Sequence, residues 1–140
     1  MRIVLASASP RRKELLSLLS WEFEIMVSDV EEVITSDEPK SVVEELSEQK
    51  AKDIFSKTTG DVLVIGADTV VAYQGRILGK PKDAEDAKRM LSMLSGDTHE
   101  VYTGVTLYQR VNGKETSATF HECTEVTFYE IVAGRYYVVY

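Results

Sequence analysis

Apolar positions along the chain form short continuous runs and spaced stripes, and polar stretches separate them. Ile3-Val4-Leu5 is a brief run that predicts a strand, and it breaks at the small residues Ala6-Ser7-Ala8-Ser9. Pro10 then opens a predicted helix over residues 10–19. Ser9 suits its N-cap, and proline suits the first helical position, where its missing N–H is no loss. On a helical wheel Leu15, Leu16 and Leu19 share a face with Arg12, and Arg11 lies beside Leu15 and Leu18. Lys13, Glu14 and Ser17 point the other way. Alternation over residues 21–27 predicts a second strand, and the acidic stretch 28–38 predicts a loop carrying Asp29, Glu31 and Glu32.

A second helix is predicted over residues 39–57, with Val42, Val43, Leu46 and Ile54 as its buried stripe. Lys50 falls in the middle of that stripe, while Lys52 points to the opposite side. A cation on an apolar face is costly unless it reaches a partner or water, so Lys50 either faces a ligand or snorkels to the surface. Val62-Leu63-Val64-Ile65-Gly66-Ala67 is the strongest strand signal, a run that fits a central strand buried on both faces. It is predicted to end at Asp68-Thr69, to resume as Val70-Val71-Ala72-Tyr73, and to turn at Gln74-Gly75 into Arg76-Ile77-Leu78.

Asp83 is the expected N-cap of a third helix, with Asp86 at N3, a core face of Ala87, Met90, Leu91 and Leu94, and Gly96 beyond its end. The remainder predicts β structure: a strand over 99–109, a turn at Asn112-Gly113 and a partner strand over 115–128. Gly104 inside the first of these signals a bulge or a close backbone approach. Strands alternating with helices give an α/β fold class. No repeat, low-complexity tract or linker divides the chain, so residues 1–140 read as a single domain.

Composition narrows the function classes. Hydrophobic content of 44% and charged content of 28% are ordinary globular values, and a chain of this size buries about two thirds of its unfolded surface. No run of eighteen apolar residues and no signal-peptide pattern occur, so the expectation is a soluble, cytoplasmic protein with no membrane contact. A net charge of -7 argues against binding a nucleic-acid polymer. The basic groups Arg11-Arg12-Lys13, Lys50-Ala51-Lys52 and Lys80-Pro81-Lys82 are then better suited to a small polyanion. Cys123, the single cysteine, forms no internal disulfide and reads as a small buried hydrophobe. His99 and His121 lack metal-ligand spacing and read as structural.

The chemistry concentrates in a few places. Two arginines in the first turn of a helix oppose its dipole unless an anion sits nearby, so strand, turn, helix start and two guanidinium forks describe a phosphate site. The alternative is a pair of arginines at the edge of an apolar stripe. Asp68 is a carboxylate among apolar residues, placed where open α/β sheets carry ligand chemistry, or else it makes a turn hydrogen bond. Pro81 biases Lys80 to an extended shape. The acidic loop is either a solvated connector or the source of a metal-binding carboxylate. No Walker A, GxSxG, HExxH or GxGxxG sequence occurs. What remains suits phosphoanhydride chemistry with a magnesium or manganese ion.

Leu5-Ala6-Ser7-Ala8-Ser9-Pro10-Arg11-Arg12, Lys50-Ala51, Gly66-Ala67-Asp68-Thr69-Val70-Val71, Gly79-Lys80-Pro81 and Leu94-Ser95-Gly96, with His99, Val101 and Thr103-Gly104, together resemble the Maf family in order and spacing. The resemblance implies the elongated mixed-sheet α/β fold of inosine triphosphate pyrophosphatases, flanked by helices. It implies a nucleoside triphosphate pyrophosphatase that releases a monophosphate and pyrophosphate. By family pattern Asp68, Lys50 and Lys80 are catalytic, with Asp68 activating water. Ser7, Arg11 and Arg12 bind phosphates, and Asp68 with one of Glu31 and Glu32 assists a divalent metal. Thr69 resembles the branch acting on dTTP and UTP. The resemblance further implies homodimers and a link to arrest of septum formation and cell division. The family pattern continues past Tyr140 through Asp-Lys-Ala-Gly and Gly-Ile-Gln-Gly segments, so a C-terminally truncated domain is expected, and with it the alternative of a catalytically impaired nucleotide-binding or division-regulating protein.

Overall fold

The structure, a computed structural model, describes residues 1–7, 13–14, 17–18, 22–79 and 81–128. In chain order the elements are β1 (Arg2–Ala6), β2 (Glu24–Ile25), α1 (Pro39–Ser56), β3 (Val62–Tyr73), β4 (Arg76–Leu78), α2 (Ala84–Leu94), β5 (Thr98–Val111) and β6 (Lys114–Thr127). The strands form one sheet in the order β2-β1-β3-β5-β6, with β4 added to β3. β1 is parallel to β2 and β3, whereas β3 is antiparallel to β4 and β5, and β5 to β6. Within the stretch predicted as the first helix, Lys13, Glu14 and Ser17 are helical and exposed, as expected. Ser9, Pro10, Arg11, Arg12, Leu15, Leu16, Leu19, Trp21 and Lys80 lie outside the described residues.

The long central helix begins with Pro39 in its first turn and buries Val42, Val43, Leu46, Ser47, Ala51, Ile54 and Phe55, so the expected stripe is the observed one. Ala51, Ile54 and Phe55 pack on Val4, Ala6, Val62 and Val64, one face of the β1–β3 pair. Two glycines let α1 approach the sheet. A Cβ on Gly66 would lie 2.5 Å from the Ser47 carbonyl and 2.7 Å from Ala51 Cβ. One on Gly104 would lie against the Val43 carbonyl and 2.9 Å from Glu44 N. The β5–β6 register runs unbroken through Gly104, so of the two readings of this glycine the close approach holds. Buried hydroxyls fix the helix along the sheet: Ser47 Oγ and Thr106 Oγ1 share a hydrogen bond of 2.9 Å, and Thr106 pairs with Gly66. Tyr108 stacks on Phe55 at 5.1 Å and donates to Glu48 from the helix.

Several expectations need correction. β3 does not end at Asp68. It continues unbroken to Tyr73, because β5 pairs with it from Val62 to Ala72 and satisfies its backbone throughout. The expected strand over 21–27 shortens to Glu24–Ile25, an exposed edge paired only with β1. Cys123 is exposed on β6, which lies at the sheet's edge with almost every side chain open to water. On α2 only Leu94 of the expected core face is fully buried. Both hairpin turns are as predicted, with positive φ at Gln74-Gly75 (52° and 78°) and at Asn112-Gly113 (52° and 81°). Asp83 caps α2 by accepting from Asp86 N at 2.8 Å. No helix among the described residues is long and apolar enough to cross a membrane.

Two outcomes follow from this packing. Gly104→Ala forces α1 away from β5 and is expected to destabilise the fold by about 1–3 kcal/mol, read from the urea midpoint. His99 is buried edge-on against Phe128 at 4.7 Å, its Nδ1 without a hydrogen-bond partner among the described residues, and burial lowers its pKa. The unfolded chain takes up this proton at the ordinary value of 6.5 and the folded chain only at lower pH. Stability from this group is therefore full above that value and is lost as pH falls below it. Comparing urea midpoints at about pH 7.5 and about pH 5.5, His99→Phe is expected to reduce the acid loss seen in the parent protein.

Candidate active site

The edge of β3 opposite β5 is shared by two short strands. β1 covers it from Val62 to Gly66, and β4 covers it from Val71 to Tyr73. Among the described residues neither strand pairs with residues 67–70, so the sheet opens between them. Into this gap the sequence puts Asp68 and Thr69, and β1 delivers Ser7 one residue past its last pairing, Ala6 with Gly66. This is the crevice at which open α/β sheets bind ligands, where the strand order changes. Asp68 therefore keeps the site position expected of a strand end, although its own strand runs on.

A cleft of about 540 Å³ occupies the opening. Its polar end carries Glu32, Lys50, Asp68 and Thr69, and its apolar end carries Val70, Val71, Ile77, Leu78, Met90 and Leu94. Lys50 and Asp68 meet here. Lys50 leaves α1 one turn after Ser47, and its Nζ donates to Asp68 Oδ1 at 2.7 Å. Both side chains are largely withdrawn from water, 21% and 16% exposed. The cation on the apolar stripe is thus accounted for by a carboxylate in a cleft. Glu32 approaches the same ammonium at 3.6 Å and is 49% exposed. Of the two acidic candidates on the loop, Glu32 lines the cleft, and the exposed Glu31 is not among its lining residues. Thr69 is exposed, and its hydroxyl shares a hydrogen bond of 3.1 Å with Thr103 across β5.

Ser7 is buried beside the gap. Gly79 and Pro81, the neighbours of Lys80, both line the cleft or its rim. Arg11, Arg12 and Lys80 themselves fall outside the described residues. His121 lies away from the cleft, where its Nδ1 bonds Glu44 at 2.8 Å.

The donor set bears on a metal. No group of three or more His, Cys, Asp or Glu side chains among the described residues is arranged to hold an ion. The cleft offers two carboxylates, Asp68 and Glu32, both hard oxygen donors. Magnesium is commonly held by one or two carboxylates together with substrate phosphates rather than by an all-protein cage. Two such carboxylates fit an ion whose remaining ligands come from a bound anion.

A sequence model of the Maf-like protein family matches residues 2–135. The chain belongs to the Maf family. The dTTP/UTP pyrophosphatase of Agathobacter rectalis is 52% identical to this Maf chain over 143 aligned positions, covering 93% of the chain and 70% of that protein. The dTTP/UTP pyrophosphatase of Bacillus cytotoxicus is 53% identical over 131 positions, covering 93% of the chain and 66% of that protein. The Maf chain therefore spans about two thirds of the length of these relatives. Among solved structures, a HAM1 protein from Coxiella burnetii matches with a TM-score of 0.58 at 20% identity, over 89% of this chain and 71% of that one. The Staphylococcus aureus Ham1 protein matches with a TM-score of 0.54 at 17% identity, over 97% and 74% respectively. At these identities the likeness is one of fold, and it bears out the inosine triphosphate pyrophosphatase-like mixed sheet expected from the Maf resemblance.

The half-buried Lys50–Asp68 pair has a direct energetic signature. In a double-mutant cycle with Lys50→Met and Asp68→Asn, followed by urea denaturation, a coupling of at least about 1 kcal/mol is expected. Additive effects of the two substitutions would contradict the pairing.

Proposed function

We propose that this chain is a nucleoside triphosphate pyrophosphatase acting on dTTP and UTP, releasing the nucleoside monophosphate and pyrophosphate. The observation that carries the reading is the Lys50–Asp68 pair at the polar end of a cleft, in a chain about half identical to proteins named dTTP/UTP pyrophosphatases. The cleft's two ends match the two ends of such a substrate. Carboxylates and cations suit the phosphates and their counter-ion, and the apolar wall suits a flat base.

The reaction needs a water activated beside the α-phosphorus. Asp68 accepts the water's proton as its oxygen forms a bond to phosphorus, and the bond from that phosphorus to the bridging oxygen breaks. The bond's electron pair leaves with pyrophosphate. Lys50 holds the Asp68 carboxylate in place and sets a positive charge where the phosphates' charge increases. Ser7, Arg11, Arg12 and Lys80 bind the phosphate chain, and Thr69 contacts the substrate at the cleft's midpoint. A magnesium or manganese ion would be held by Asp68 and Glu32 together with the phosphates, and it would neutralise charge on the phosphate oxygens. Glu31 is left out of this set.

Asp68→Asn keeps the side chain's size and removes the base. Pyrophosphate release from dTTP and UTP in the presence of magnesium is expected to fall at least about 100-fold. Full activity in Asp68→Asn would overturn the mechanism. A parent protein that gains thermal stability with dTTP but releases no pyrophosphate would favour the binding-only alternative instead.

A further inference from the structure

Glu32 sits on a stretch without helix or strand, yet it reaches the cleft at a defined place. What holds it there is a ladder along α1. Glu45, Gln49 and Asp53 recur every four residues on one side of the helix, and the loop before it runs back along them. Thr35 N donates to Glu45 Oε2 at 2.9 Å, and the Thr35 hydroxyl also donates to Glu45. Ser28 Oγ donates to Asp53 Oδ2 at 2.7 Å, and Lys57 Nζ reaches both Asp53 and Asp29.

The middle rung differs from the other two. Val33 N donates to Gln49 Oε1 at 2.9 Å, and Gln49 Nε2 donates to the Val33 carbonyl at 2.6 Å. One primary amide thus satisfies both backbone groups of a single residue, which fixes that residue's orientation as well as its distance. Val33 directly follows Glu32, and Gln49 directly precedes Lys50. The amide therefore ties the residue bearing one cleft carboxylate to the helix turn bearing the cleft's cation. A carboxylate would supply the acceptor but not the donor, and a shorter amide would not reach.

We propose that Gln49 is the positioning residue that presents Glu32 to the cleft, a role that rests on the pyrophosphatase reading of the site. Without the clamp the Glu32 carboxylate moves freely in water, and the divalent ion and phosphates lose a pre-placed oxygen.

The test combines hydrogen exchange with kinetics on the full chain. In Gln49→Ala, amides of loop 28–38 are expected to lose protection while β3 and β5 keep theirs. The magnesium concentration giving half-maximal pyrophosphate release is expected to rise roughly 10-fold, the usual effect of losing a residue that orients a metal ligand. Glu32→Gln should show the same shift, and adding Gln49→Ala to it should change little further. Thr35→Val removes the side-chain half of a rung farther from Glu32, leaving the backbone donor to Glu45, and is expected to shift the requirement less than about 2-fold. Unchanged exchange in the loop, or shifts from Glu32→Gln and Gln49→Ala that multiply, would overturn the proposal. A parent chain that turns over no nucleotide would overturn the pyrophosphatase reading, and the exchange measurement would still decide whether Gln49 holds the loop.

Discussion

The site depends on how closely α1 lies on the sheet. Gly66 and Gly104 have no Cβ where one would run into the helix backbone at Ser47 and Val43. Interiors packed to this density do not deform by small amounts at no cost. With the helix that close, a lysine one turn past Ser47 reaches across to Asp68, and Asp68 itself pairs with Gly104. The Ser47–Thr106 hydrogen bond, wholly buried, then fixes how far along the sheet the helix sits. Close approach and register together set the 2.7 Å contact between Lys50 and Asp68. In catalysis a displacement of about 1 Å at a reacting group can cost on the order of 100-fold, so two glycines that carry no side chain become conditions for the proposed chemistry.

Strand pairing supplies the opening that this contact faces. Had β1 been longer, or β4 continued past Leu78, residues 67–70 would be covered and Asp68 would be an ordinary interior carboxylate. Instead the antiparallel partner β5 keeps β3 hydrogen-bonded, while β1 and β4 leave residues 67–70 between them on its other edge. Rigid support behind and an opening in front are what a pre-organised site requires. The acidic loop completes it from the side, held by side chains of the same helix that carries Lys50.

Much of this was legible in the residues. Lys50 stands out because a cation interrupts an apolar stripe, and the structure gives it a half-buried carboxylate. Gly104 in a strand, the two hairpin dipeptides and the Asp83 cap each carried a local physical reason that held in three dimensions. Asp68 was placed at the right opening but for an incomplete reason. The strand's continuation depends on β5, whose pairing residues Glu100 to Thr103 are distant in sequence, and no local signal reports it. Cys123 was misread because burial was inferred from residue type, whereas β6 is an edge strand. The Glu45, Gln49 and Asp53 ridge has no expectation attached to it, since four-residue spacing of polar groups does not reveal that a loop lies along it. The same spacing beside an acidic loop of matching length is the signal that would have exposed Gln49.

The proposed phosphate-cleaving site stands on the close seating of α1, which brings Lys50 and Asp68 together. The most direct measurement is a crystal structure of the protein with magnesium and a UTP analogue whose α–β bridge is non-hydrolysable. The phosphate chain is expected in the opening between β1 and β4, with the α-phosphorus one water away from the Asp68 carboxylate and Lys50 beside the phosphates. A triphosphate bound elsewhere, with the Lys50–Asp68 pair untouched, would contradict it.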